Sequence, residues 1–83
     1  MYFLYLLQSE KTARFYIGQT KNLEQRLNYH NSGRNKSTKG RGPWKILAYL
    51  TFQTRSHAMT EELKIKKLKN REAILQAFKI KEA

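Results

Sequence analysis

"ARFYIGQTKNLEQRLNYHNSG", residues 13–33, holds the passage from strand to helix on which the fold rests. "RFYIG" at 14–18 has the aromatic and β-branched composition of a strand, and Gly18 reads as its stop. Asn22 has the side chain of an N-cap, and Gln25 stands three residues later as the second half of a capping box. Leu23, Leu27 and His30 then fall at i, i+4 and i+7, one stripe of a helix. Gly33 supplies a left-handed stop. The spacing predicts a strand at 14–18 and a helix at 23–32. Packing alone does not require Tyr16, Gly18, Arg26 and His30 in that order.

Upstream, "YFLYLLQ" at 2–8 has almost no polar break, the pattern of a strand covered on both faces. The short polar stretch "SEKTAR" suits a hairpin connection, which makes the first two strands antiparallel. Downstream, "GRNKSTKGRGP" at 33–43 is a loop with three glycines, one proline and four cations, Arg34, Lys36, Lys39 and Arg41. "WKILAYLTF" at 44–52 reads as a third strand. Ser56 is placed to cap a second helix running to about 69. Asn70 starts a third, with Ala73, Ile74, Ala77 and Phe78 as its apolar face, and the tail "KIKEA" frays. The order is ββαβαα. The expected class is α/β (α+β), a small three-stranded antiparallel or mixed sheet flanked by helices, as one domain over 1–83.

A chain of 83 residues has room for one core. Its 40% hydrophobic content suffices to build one, and no cysteine is present to staple it. The lack of cysteine fits a reducing cytoplasm. Seventeen Lys and Arg against six acids give a net charge of +11. Such a surface attracts polyanions, nucleic acid above all, without choosing between binding and catalysis. An anionic membrane surface would satisfy the same charge. The opening "MYFLYLL" is far short of the roughly 20 apolar residues that span a bilayer. It also lacks the basic flank of a signal peptide.

One carboxylate stands out. On a helix through "HAMTEELKIKKLK", Ala58, Met59, Leu63, Ile65 and Leu68 outline an apolar arc, and Glu62 falls near its middle. A carboxylate there is costly without a partner. Two readings stand: a structural ion pair with Arg26, or a metal ligand or catalytic carboxylate at the rim of the core. The same holds for the others. Tyr5 and Tyr16 read as cross-strand aromatics or as site residues, His30 as a core histidine, Arg26 as a surface cation, and Trp44 as a core residue or a stacking platform.

Taken together, these residues resemble the GIY-YIG nuclease superfamily, in its small stand-alone bacterial form. The second signature triplet is literal, Tyr16-Ile17-Gly18. The first, Phe3-Leu4-Tyr5, keeps the tyrosine and has Phe in place of Gly. Gly18, Thr20, Asn22, Leu23, Arg26 and His30 then match the family's run after the triplet. Ala58, Met59, Glu62, Ile65 and Lys66 match its later helix. The resemblance covers essentially 2–80.

The resemblance implies a divalent-metal-dependent endonuclease that hydrolyses DNA phosphodiester bonds, in a DNA-repair or recombination setting. Tyr5 and Tyr16 would border the scissile phosphate, Arg26 would contact it, and His30 would stand one helical turn later. Glu62 would hold one divalent cation, Mg2+ or Mn2+. Tyr16 is the favoured general base, with Tyr5 and His30 as partners. A phenol with a pKa near 10 needs nearby cations for that task. Arg34, Lys36, Lys39, Arg41 and Lys66 are the expected DNA-binding cations. The family's final-helix Asn or Lys has no secure place, since Asn70 is close to Glu62. The expected state is a monomer or weak homodimer, with targeting supplied by a protein partner. The missing first-triplet glycine keeps a non-catalytic nucleic-acid-binding module on the same fold as the alternative. Charge alone also admits a small basic RNA-binding protein.

Overall fold

The computed structural model describes residues 1–79. Three strands, β1 (Tyr2–Ser9), β2 (Phe15–Thr20) and β3 (Trp44–Phe52), form an antiparallel sheet in the order β2-β1-β3. Helix α1 (Leu23–Asn31) joins β2 to β3, and α2 (Arg55–Lys66) and α3 (Arg71–Ala77) follow. The order is the ββαβαα expected. The expectation for the tail falls largely on residues 80–83, outside the described residues.

The unbroken apolar run of β1 places it at the centre, buried on both faces. Leu4 and Leu6 point into one cluster with Ile17, Ile65 of α2, Leu75 of α3 and Phe78 just after it. Tyr5 and Leu7 point into the other with Trp44, where Leu23 and Leu27 of α1 close over them. The period-two alternation of a strand thus serves two small cores at once. In β3 the register against β1 shifts between Leu6 and Leu7: Ala48 faces Leu6, Ile46 faces Leu7, and Leu47 is the extra residue of a bulge. Leu47 and Ala48 therefore both pack on the α2–α3 side.

Several boundaries differ from the sequence reading. Gly18 does not stop β2, which runs two residues further to Thr20. Asn22 caps α1 by accepting from the Gln25 backbone N–H at 3.0 Å. The return half of the box is not made, because the Asn22 N–H goes to Thr20 Oγ1 at 3.2 Å instead. Thr54, not Ser56, caps α2, accepting from His57 N–H at 3.1 Å. The helix ends at Lys66, and its buried stripe is only Ala58 and Ile65. Met59, Leu63 and Leu68 are exposed. The apolar arc is narrower than its composition suggests: only Ala58 and Ile65 are turned fully onto the sheet. Leu75, absent from the expected face of α3, is buried there beside Phe78.

Leu6 is fully buried in the larger cluster. Leu6→Ala should cost about 2–5 kcal/mol, against a total of roughly 4–12 for a domain of this size. Urea unfolding should show a lower midpoint at unchanged m value.

Candidate active site

Tyr5 pairs across the ladder with Gly18. Its ring lies directly over that glycine: a Cβ on residue 18 would meet Tyr5 Cζ at 2.7 Å and the hydroxyl closer still. Gly18 is therefore an opening for a buried ring and not a strand terminator. Passing over it, Tyr5 Oη reaches His30 Nε2 at 2.9 Å. His30 Nδ1 lies 3.0 Å from Thr38 Oγ1. All three residues are at most 2% exposed. Tyr16, on the same sheet face, completes the cluster with its ring 4.7 Å from that of His30 and 6.4 Å from that of Tyr5. Phe3, where the family triplet has glycine, packs edge-on against Tyr49 at 5.6 Å.

Burial sets the electrostatics of this cluster. It raises the Tyr5 phenol above its ordinary range, Tyr16 adds to the rise, and Arg26 opposes it. Tyr5 therefore remains a phenol at neutral pH and takes no base role as a phenolate. Burial likewise pushes His30 down to about 4, assisted by the positive charge of Arg26. His30 is thus a neutral imidazole with one N–H and one lone pair.

Arg26 projects from α1 with its guanidinium 5.4 Å from the Tyr29 ring. It lines two clefts. One, of about 600 Å³, runs along α1 between Gln25, Tyr29 and Arg34. The other, of about 400 Å³, lies by the end of β2 and includes Gln19, Lys21 and Arg55.

Glu62 approaches from the other face of the sheet. Its side chain is 14% exposed, and Oε2 pairs with Lys66 Nζ at 2.6 Å. Oε1 accepts from Gln19 Nε2 at 3.0 Å. The structural ion pair with Arg26 is not formed, because Lys66 lies one turn away on the same helix and answers the charge locally. The expected sites therefore fall into two groups flanking β2: Tyr5, Tyr16 and His30 on the α1 side, Glu62 with Lys66 on the α2 side. Gln19 spans them, bonding Glu62 and lining the cleft that Arg26 shares. Sequence reasoning missed Gln19, although an amide at a position facing Leu4 across the ladder was a signal. Among the described residues no group of three or more His, Cys, Asp or Glu comes together.

Arg34, Lys36, Lys39 and Arg41 are all exposed on the loop between α1 and β3. That loop is tied down more than its composition suggests. Thr38 is buried at its centre, and Trp44 Nε1 donates to the Thr38 carbonyl at 3.1 Å. Trp44 is a core residue, 4% exposed. Lys66 faces Glu62 before any other partner. Asn70 is the α3 cap, accepting from the N–H groups of Glu72 and Ala73, and its side chain is spent there.

A three-stranded antiparallel sheet with one helix over a Tyr-Gly crossing and two behind it defines a small α+β scaffold. Residues 1–75 match the GIY-YIG catalytic domain. The UPF0213 protein OB0043 of Oceanobacillus iheyensis is 41% identical over 68 residues, 81% of this chain and 78% of that protein. The solution NMR structure of the UPF0213 protein BH0048 from Bacillus halodurans is 32% identical with a TM-score of 0.54, covering 88% of this chain and 79% of that one. The human structure-specific endonuclease subunit SLX1 is 41% identical over 51 residues, 57% of this chain but only 18% of that protein. The chain belongs to the GIY-YIG family. Both the catalytic-domain match and the endonuclease relative support nuclease chemistry.

The low pKa of His30 has a stability consequence. Between about 4 in the folded state and the ordinary 6.5, the unfolded chain binds a proton that the folded one does not. This contribution is complete above the ordinary value and is lost as pH falls toward 4, at up to about 1.4 kcal/mol per pH unit. Denaturation midpoints measured from neutral pH downward should fall less steeply for His30→Gln than for the native chain.

Proposed function

We propose that this protein is a divalent-metal-dependent endonuclease that hydrolyses DNA phosphodiester bonds. The observation that carries this reading is the flanking of β2: a tyrosine–histidine cluster and Arg26 on one side, a single acceptor-only carboxylate on the other, with Gln19 between them. Hydrolysis of a phosphodiester needs an attacking water, a proton acceptor, and positive charge on the developing phosphorane oxygens. Arg26 supplies that charge as a two-pronged donor to the scissile phosphate. The Tyr5 hydroxyl is engaged by His30 and stays protonated, so Tyr16 is the side chain left to act as base: as the phenolate it would take the water's proton and become the phenol.

The donor set at Glu62 suits Mg2+ or Mn2+. Mg2+ is commonly held by one or two carboxylates together with waters and substrate phosphates, and needs no all-protein cage. Glu62, oriented by Gln19, is such a carboxylate, and Lys66 balances its charge when no cation is bound. A cation held by Glu62 would supply Lewis-acid polarisation of a phosphate oxygen and charge for the leaving group.

The substrate reading rests on charge and on the relatives. A net charge of +11 and the exposed cations Arg34, Lys36, Lys39 and Arg41 suit a phosphate backbone read without base contacts. SLX1 is named as a subunit of a structure-specific endonuclease, and this chain corresponds to a small part of it. A structure-specific DNA substrate and a protein partner are proposals from that name; a repair or recombination setting is a proposal from the family resemblance, and a cytoplasmic location from the lack of cysteine. Among the described residues no helix is long and apolar enough to cross a membrane.

The test is cleavage of supercoiled plasmid and labelled branched and linear DNAs with Mg2+, Mn2+ or EDTA. Glu62→Gln and Arg26→Ala should each lower the rate by about 10²–10³. Glu62→Gln should leave DNA affinity largely intact. Metal-independent cleavage would remove the Glu62 assignment. Salt-dependent binding without cleavage would favour the non-catalytic module. In binding titrations, replacing both Lys36 and Lys39 by Ala should reduce the slope of log K against log salt by about 2 and weaken all sequences alike.

A further inference from the structure

The α1–β3 loop carries four exposed cations, yet its central residue, Thr38, is turned inward and is 1% exposed. Nothing in the packing of a surface loop calls for a buried hydroxyl, and its neighbours show what holds it. Asn35 organises the turn: its Oδ1 accepts from Ser37 N–H at 2.8 Å, and its carbonyl accepts from Lys39 N–H at 2.9 Å and Thr38 N–H at 3.2 Å. Trp44 Nε1 fixes the Thr38 carbonyl from below. The loop's two ends are clasped, since Asn31 Nδ2 donates to the Trp44 carbonyl at 3.1 Å while Trp44 N–H donates to Asn31 Oδ1 at 2.6 Å. Within this frame Thr38 Oγ1 has two polar neighbours, His30 Nδ1 at 3.0 Å and the Asn35 carbonyl at 3.5 Å.

The hydroxyl has one proton, and a carbonyl can only accept. With that proton directed to Asn35, Thr38 Oγ1 accepts from His30 Nδ1–H. The imidazole lone pair is then at Nε2, facing Tyr5 Oη. We infer that Thr38 is a positioning residue that fixes the Nδ1–H tautomer of His30, so that the buried Tyr5 hydroxyl is held as a donor to Nε2. The neutral state of His30 agrees, because an imidazolium would present N–H to both neighbours and leave the Tyr5 proton without an acceptor on that side. The role ties the DNA-facing loop to the tyrosine cluster. The turn that presents Lys36 and Lys39 on the outside holds the Tyr5 ring in place on the inside. Its bearing on cleavage rests on the nuclease reading; its bearing on the tautomer does not.

The first experiment is long-range proton–nitrogen NMR correlation on isotope-labelled histidine, with His30→Gln assigning the signals against those of His57. The native chain should show His30 as the Nδ1–H tautomer. Thr38→Ser should keep it, and Thr38→Val should move the population toward Nε2–H. In the plasmid assay Thr38→Val should lower the rate by about 10²-fold at unchanged substrate affinity, the cost of slight misplacement, and Thr38→Ser should restore it. An Nε2–H tautomer in the native chain overturns the inference even if Thr38→Val fails to fold. An unchanged tautomer in folded Thr38→Val also overturns it. A native chain with the expected tautomer but no cleavage would overturn the nuclease reading and leave the positioning of His30 standing.

Discussion

The passage of the Tyr5 ring over Gly18 is the constraint on which the α1 side of the molecule depends. A strand residue with any side chain at 18 would lift the ring off the sheet and break its reach to His30. Because Tyr5 stays flat against the sheet, α1 can settle close enough for Leu23 and Leu27 to cover Leu7 and Trp44. His30 then arrives on the last turn of α1 at the height of the phenol. One backbone choice fixes a cross-strand contact, a helix position and a buried polar bond together. Burying those polar atoms is tolerable only because each is paired, and among the described residues no buried side-chain donor or acceptor lacks a partner.

The charges are sorted by the same architecture. Arg26 stands over one face of a thin sheet and Glu62 behind the other. The two stay out of contact, each answered locally, Arg26 by the Tyr29 ring and Glu62 by Lys66. A direct ion pair between them would have neutralised both. Held apart, both stay near the end of β2, a disposition suited to an anionic ligand bringing a counter-ion with it.

Much of this was legible in the sequence. The unbroken run of β1 announced a strand buried on two faces, β3 stood out after the Gly- and Pro-bearing loop, and Asn22 declared its helix. The errors have physical sources. Glycine at 18 reads as a strand stop when its function is the space it leaves. Thr54 and Ser56 are both good caps by type, and only the approach angle of the chain decides between them. Composition marked Met59, Leu63 and Leu68 as apolar without indicating that α2 turns only Ala58 and Ile65 fully onto the sheet. Thr38 and Gln19 escaped notice because each acts through a partner distant in sequence, and spacing carries no signal of such pairs.

The bulge at Leu47 has a consequence for how copies of this chain meet. Strand β3 lies at the sheet edge and is nine residues long, enough to template a second strand along its outer rim. The extra residue changes the spacing of donors and acceptors halfway along that rim. An incoming chain that matches the first half is out of step with the second. Lys45, exposed just before the irregularity, adds a charge where such a mispaired strand would begin. A small protein whose cores are only two clusters deep thereby keeps its longest exposed backbone edge from becoming a seed for aggregation.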